Sequence, residues 1–248
     1  IPIAHGEVSS NCFLKPQTLR CVPDLELEEP MLFPSLAGSK FGYLNLDSFL
    51  KPWLLRTYGS TLPKNPLVDP EVATTFVADC HSRLGLAGSY GGWMEDRSRL
   101  LRGTYLEKSG NFLHLGVDFN VPSGTLVASD QIGEIIHIVN DPSTGGWGTR
   151  VDVFLGRHDT VLIYAHLEPT DICEVGMKLR PGSIFGQVGT PAVNGRWWPH
   201  LHVQAVHAET YHDLAGLPGD VLDGYGDPAQ AEELAVLFPD PMQFVRLS

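Results

Sequence analysis

Two short stretches decide the fold: His114-Leu-Gly-Val-Asp118-Phe-Asn-Val121 and His200-Leu-His202-Val-Gln-Ala205. In each, side chains able to hold a metal fall on one parity and apolar ones on the other. His114, Gly116, Asp118 and Asn120 alternate with Leu115, Val117, Phe119 and Val121. His200, His202 and Gln204 alternate with Leu201, Val203 and Ala205. A period of two marks a half-buried strand, whose residues two and four apart share a face. Read so, His114 and Asp118 project from one side of a strand, and Gly116 between them leaves the space clear. A sheet that joins the two stretches builds a metal site.

Working outward, short β-rich runs follow one another from about Phe112. They cover 113–121, 125–129, 134–139, 149–155, 161–166, 183–188 and 200–206. Pro122-Ser-Gly124, Asp141-Pro-Ser-Thr-Gly-Gly146 and Pro181-Gly182 separate them as turns. This spacing predicts a mainly β protein with an antiparallel sheet, sandwich or barrel. The first 70 residues are irregular and rich in proline, with helical pattern only around 44–55. A second helix is expected at 71–84, after Pro70. The glycine-rich 85–92 stretch reads as a turn or linker, with Gly91-Gly92-Trp93 an anchored turn without chemistry. After Ala208 the chain reads as loop with one helix at 228–238. The organisation expected is an irregular, mixed N-terminal region at 1–87, a β domain at 88–210 and an acidic extension at 211–248 packed on it.

The chain has 248 residues, 43% hydrophobic and 19% charged, ordinary for a protein that buries a real core. No run approaches the roughly 18 apolar residues of a transmembrane helix. No signal peptide is visible, but the sequence begins at Ile1, so a processed or trimmed chain is one reading and compartment stays open. A formal charge of −12 argues against a nucleic-acid partner, whose binding needs phosphate neutralisation. Between Arg196 and Arg246 no Lys or Arg occurs, which reads as a solvated acidic flank. Cys12, Cys21, Cys80 and Cys173 form no CxxC, so structural zinc on cysteine is not expected. A Cys12–Cys21 disulfide and buried free thiols are both compatible with the sequence.

Catalytic zinc takes three protein ligands from His and Asp or Glu and leaves a fourth position for water. His114, Asp118 and one of His200 and His202 supply that set. His166 ends the apolar run Val-Leu-Ile-Tyr-Ala-His and is placed to act as acid or base, as is the imidazole of the pair that does not bind metal. His5, His81, His137, His158, His207 and His212 read as surface or satisfied core residues.

His114-x-x-x-Asp118, Tyr164-Ala-His166-Leu167 and Pro199-His200-Leu-His202-Val resemble the M23 (LytM/lysostaphin-type) zinc metallopeptidases. Val121-Pro-Ser-Gly-Thr125, Gly133-Glu-Ile135, Gly145-Gly-Trp-Gly-Thr149 and Phe185-Gly-Gln-Val-Gly189 fall between in the matching order. The resemblance covers roughly 88–210. It implies a compact antiparallel β peptidase domain holding one zinc ion per chain on His114, Asp118 and His202. His166 and His200 are then the catalytic histidines. The implied reaction is endopeptidic hydrolysis of peptidoglycan, in the stem peptide, the cross-link or a glycine bridge. The implied location is periplasmic or secreted. Inhibitory pro-segments occur in such proteins, so residues 1–85 are a conceivable plug.

The chain departs from the pattern at Thr190-Pro-Ala-Val-Asn-Gly-Arg-Trp-Trp-Pro199, where a short glycine-serine loop is usual. Tyr105 is the nearest tyrosine ahead of His114 for a role in catalysis. Trp147, Trp197 and Trp198 read either as platforms for substrate or as packing residues; Tyr105, Trp147 and Trp197 are the substrate-binding candidates. Two other functions compete. A non-catalytic, zinc-containing binding or regulatory module leaves His166 and His200 without a purpose. A non-haem iron oxygenase also uses two histidines and a carboxylate, but usually as His-x-Asp with an arginine soon after the distal histidine. No arginine follows His202 until Arg246.

Overall fold

The parity that opens the reading sorts the core into two faces of one sheet. The structure, a computed structural model, describes residues 31–59, 65–215 and 222–247. The expectations at His5, Cys12 and Cys21 lie outside them. After β1 (Phe41–Tyr43) come α1 (Leu46–Tyr58), α2 (Pro70–Leu84) and β2 (Gly88–Gly91). Then follow β3 (Leu113–His114), β4 (Val117–Asn120), β5 (Leu126–Ala128), β6 (Gly133–Asp141), β7 (Gly148–Leu155) and β8 (Thr160–Leu167). The chain closes with β9 (Lys178–Leu179), β10 (Ile184–Gln187), β11 (Leu201–His207), α3 (Ala208–Ala215), β12 (Tyr225–Gly226) and α4 (Ala231–Leu237).

Eight strands form the main sheet in the order β1-β2-β4-β11-β8-β7-β6-β9, and only β1 and β2 run parallel. Two ribbons, β5–β10 and β3–β12, flank it. The mainly β, antiparallel expectation holds. In the centre, His202 of β11 stands opposite Asp118 of β4 and Ala165 of β8, while Val203 stands opposite Val117 and Tyr164. Val117, Phe119, Val151, Leu162, Tyr164 and Val203 turn to one face and pack with Leu32, Phe33 and Phe185. Val161, Ile163 and Val206 turn to the other and pack under Tyr211, Leu222 and Phe238. Both faces are therefore covered, which is why all eight residues of β8 are buried. The second face carries Asp118 and His202.

Three sequence expectations are corrected. The expected strand 113–121 is two strands, not one. His114 pairs with Tyr225 in the side ribbon, and the chain then steps across Leu115 and Gly116 into the main sheet. Leu113 and Leu115 accordingly pack with the Tyr211 side, whereas Val117 and Phe119 pack on the opposite one. The 85–92 stretch contains β2, paired with both β1 and β4. Its glycines serve close packing: a Cβ at Gly88 would lie 2.5 Å from the Phe41 ring, and one at Gly91 would lie 2.8 Å from the Leu44 carbonyl oxygen. The segment after Ala208 forms α3 directly from β11. Ala208 N–H donates to Asp159 O at 3.0 Å in place of a polar cap, and Tyr211 Oη donates to Asp152 Oδ2 at 2.8 Å.

The helices of 44–55 and 71–84 form as the sequence suggests and have identifiable caps. Asn45 and Asp69 side chains accept from Ser48 N–H and Glu71 N–H, and Gly59 and Gly85 end the helices at positive φ. α1 and α2 pack their apolar sides through Leu50, Trp53, Phe76 and Val77, in a cluster that also takes Leu100, Leu101 and Trp198. Cys80 and Cys173 are free, buried thiols, and burial pushes that of Cys80 up to about 11.

Asp130 offers a test of the packing of the C-terminal strip. It accepts from Arg246 N–H while its other oxygen has no partner, and burial pushes its carboxyl up to about 6. A carboxyl raised in the folded state contributes stability that is full below its unfolded value near 4 and is lost as pH rises through 6. Asp130→Asn removes on the order of 2 kcal/mol of this pH dependence between about 4 and 6, measured as urea midpoints across that range.

Candidate metal centre and cleft

Asp118 reaches the second face of β4 already paired. Arg97, on the loop after β2 and 2% exposed, places Nη1 on Asp118 Oδ2 and Nη2 at 3.3 Å from Gly91 O. The other carboxylate oxygen, Oδ1, is left to face the histidines. It lies 3.0 Å from His202 Nδ1, 3.4 Å from His114 Nε2 and 3.6 Å from His200 Nε2. His114 Nε2 and His202 Nδ1 are 3.1 Å apart. Burial acts to raise the Asp118 carboxyl, but the contacts with the His114 imidazole and the Arg97 guanidinium beside it hold it well below the usual range. Burial and then the Arg97 charge push His114 down to about 3.

The donors of His114, Asp118 and His202 converge within 4.8 Å of one another and can hold a metal ion. Two observations test the fit. A tetrahedral ion at roughly 2.0–2.1 Å from N and O donors sets them about 3.3 Å apart, the scale at which these three atoms meet. His202 Nε2 lies 3.2 Å from Gln204 Oε1, whose Nε2 donates to Asp223 O at 3.3 Å. With Nε2–H donating to Gln204, the lone pair of His202 is on Nδ1, inside the cluster. Gly116 keeps the centre open, since a Cβ there would lie 2.6 Å from His202 Cε1. Gly116→Ala lowers the affinity for a divalent metal ion tenfold or more in a chelator competition, by the 10- to 100-fold measure of a disturbed support shell.

His166 and His200 stand against this cluster with ring centroids 4.5 Å apart. Each hands its Nδ1–H to a backbone carbonyl: His166 to Asn194 O at 2.9 Å and His200 to Trp198 O at 2.8 Å. Both therefore keep Nε2 as the unprotonated ring nitrogen, and both rings line the cleft. Burial pushes both imidazoles down, that of His166 strongly. The two carbonyls belong to the bulky 190–199 loop, and buried Asn194 knits them. Its Nδ2 donates to Trp198 O at 3.4 Å and its Oδ1 accepts from Trp197 N–H at 3.0 Å. Trp198 stacks on His200 at 4.8 Å and donates through Nε1 to Asn120 Oδ1 at 2.7 Å. His166 sits at φ +65°, where a non-glycine residue is uncommon, and β8 ends one residue later. Asn194→Ala costs about 1–3 kcal/mol in denaturant stability. It also broadens the tautomer signals of His166 and His200 in nitrogen NMR.

The cleft above these groups has a volume of about 230 Å³. Tyr105, Trp147 and Trp197 line it, and no lining residue precedes Tyr105 among the described ones. Trp198 is in the core beside His200. His81, half-buried, joins Ser89 Oγ at 2.8 Å, and Ser89 Oγ also accepts from Asn120 Nδ2. Sequence reasoning missed Arg97, Asn194, Asp223 and Tyr225. Tyr225 packs its ring tilted against His114 at 5.0 Å, and it lies in the stretch read as an acidic flank. Arg97 carried no signal, because nothing in its neighbours marks an arginine for burial. Asn194 had one: it sits in the loop that departs from the usual form.

Comparison with known proteins places the region. Residues 112–214 match the model of Peptidase family M23. No curated protein is similar enough in sequence to match. Among solved structures, Csd3 of Helicobacter pylori is 25% identical over 43% of this chain and 25% of its own, with a TM-score of 0.32. A zinc-containing peptidase of Vibrio cholerae is 23% identical over 48% of this chain and 32% of its own, with a TM-score of 0.37. The chain thus spans a third or less of these two proteins. The catalytic domain of lysostaphin, an antimicrobial peptidase of Staphylococcus simulans, is 22% identical over 54% of this chain and 79% of its own, with a TM-score of 0.38.

Proposed function

We propose that this chain, whose residues 112–214 are a region of peptidase family M23, is a zinc metalloendopeptidase acting on peptidoglycan peptides. The observation that carries this reading is the convergence of His166 and His200 on the His114–Asp118–His202 cluster in one open cleft. A closed structural metal site has no use for two further histidines held by backbone carbonyls at its edge.

In this reading His114, Asp118 and His202 hold zinc. The ion supplies Lewis acidity, polarising a carbonyl and easing the ionisation of water. His166 and His200 have their Nδ1–H groups held. One of them accepts a proton at Nε2 from the attacking water, donates that N–H to the oxygen that gains charge on the carbonyl carbon, and then passes the proton to the departing amine. The other orients the water through its Nε2 lone pair. Tyr105, Trp147 and Trp197 position the peptide backbone as it lies over the centre. Arg97 keeps Asp118 ionised and fixed in rotation. A periplasmic or secreted location follows from the substrate. No helix among the described residues is long and apolar enough to cross a membrane.

Purified chain loaded with zinc is expected to bind one equivalent and to cleave muropeptides or a pentaglycine peptide. His114→Ala and Asp118→Ala lose metal and turnover together. His166→Ala and His200→Ala keep metal and lose about 100-fold or more in kcat, the usual scale for an acid–base group. Elemental analysis and product chromatography read both. One equivalent of zinc with no hydrolysis of any peptide supports a binding module instead, and iron with substrate oxidation supports an oxygenase.

A further inference from the structure

Beside the cleft lies a second cavity of about 230 Å³, and the two share Tyr105, Thr144, Gly145 and Trp197. Its remaining walls include Leu67, Val68, Leu100, Leu101 and Trp198. We propose that this cavity is a side-chain subsite that takes one bulky, uncharged apolar residue, leucine-sized or aromatic, from a peptide lying in the cleft. The proposal rests on the peptidase reading and adds to it a class of substrate.

Position is the first argument. Trp197 is the partition between the two spaces. Its ring lies 6.1 Å from that of His166, and its Nε1 is pinned to Gly146 O at 3.2 Å. Tyr105 is the other shared wall and packs on Gly145, where a Cβ would come within 2.5 Å of its ring. The cavity therefore opens at the His166 end of the cleft, within a residue or two of the bond to be cut.

Size and chemistry are the second. Pockets for whole drug-sized ligands run to roughly 300–1,000 Å³, and a cavity of 150 Å³ already admits benzene. A volume of about 230 Å³ suits one large side chain. Among the described lining residues Arg196 alone is charged, and it is exposed. A lysine ammonium placed here would lose hydration, meet no carboxylate among the described lining residues and face a guanidinium.

The walls are also preformed. Leu67, Leu100, Leu101 and Trp198 are buried members of the cluster built on Trp53 and Phe76. Asn65 ties the two wall segments together: its Nδ2 donates to Leu100 O at 2.7 Å and its Oδ1 accepts from Leu67 N–H at 3.1 Å. A preformed apolar wall spares the ordering cost that a flexible one imposes on binding. Glycine, the residue of a glycine bridge, leaves such a cavity empty and gains nothing from it.

The test uses the metal-loaded chain and quenched fluorescent peptides varied at one residue at a time among Gly, Ala, Leu, Phe, Lys and Glu. At one position near the cut, kcat/KM for Leu or Phe exceeds that for Gly and Lys by about tenfold or more, the discrimination an apolar pocket gives. Val68 is half-exposed at the rim. Val68→Trp, or Val68→Arg if that variant does not fold, lowers the Phe-over-Ala ratio. Binding is read separately by the indole N–H resonances of Trp197 and Trp198. They shift with N-acetyl-phenylalanine amide and not with N-acetyl-lysine amide. Equal response to both amides, or none, overturns the subsite whatever the peptides do. A selective indole response with no cleavage of any peptide keeps the subsite and removes the peptidase reading.

Discussion

The buried Asp118 carboxylate is the constraint on which the rest of the centre depends. Taking an ionised carboxylate out of water costs several kcal/mol unless a partner compensates. Arg97 is that partner, on one oxygen only. The division of labour between the two oxygens matters more than the pairing itself. A carboxylate with both oxygens engaged by the guanidinium would turn away from the histidines. With Oδ2 held and Oδ1 free, the side chain has one rotation, and that rotation faces His114, His200 and His202. Arg97 is in turn placed by Gly91 O and by the absence of a side chain at Gly92, whose Cβ would fall 2.1 Å from Nη2.

Two kinds of support then meet at one centre. His202 and His114 are set by sheet register and by the β3–β12 ribbon. His166 and His200 are set by carbonyls of a loop. The loop manages this because its bulk is anchored: Trp198 goes into the core and donates to Asn120, while Trp197 donates to Gly146 O. A short flexible glycine loop supplies carbonyls as well, but it supplies no wall. The larger loop adds Trp197 as a partition and Arg196 as a rim.

The sequence made legible those parts of the fold that have a period or a chemical type. Period-two alternation identified the strand at 200–206, β-rich runs between turn residues those at 149–155 and 161–166, helical pattern the helix around 44–55, and Pro70 the start of the next. The convergence of five polar residues showed through their order along the chain. Glycine misled at β2, because the same absence of a side chain serves a turn and a close packing of strands. The alternation at 113–121 misled more subtly. It runs unbroken in the sequence, yet Gly116 lets the chain change sheets, so His114 and Asp118 meet from different strands. Arg97 was invisible because its role depends on a partner 21 positions away. No local pattern encodes a buried ion pair of that kind.

That distinction also explains how the chain divides its labour. Inside residues 112–214 lie the five polar residues and the sheet that aligns them. Arg97 and the outer surroundings of the cleft come from elsewhere. Tyr225 covers His114 from the C-terminal side, and Asp223 O anchors Gln204 behind His202. Leu67, Leu100, Leu101 and Tyr105 come from the N-terminal side. These outer walls are tied into cores of their own, around Phe76 and around Tyr211. The polar centre and the outer walls of the cleft thus rest on different physical supports: sheet register for the one, apolar packing of appended segments for the other. A change in the appended segments can reshape what the cleft admits while the register of β4, β8 and β11, and with it the polar centre, stays as it is.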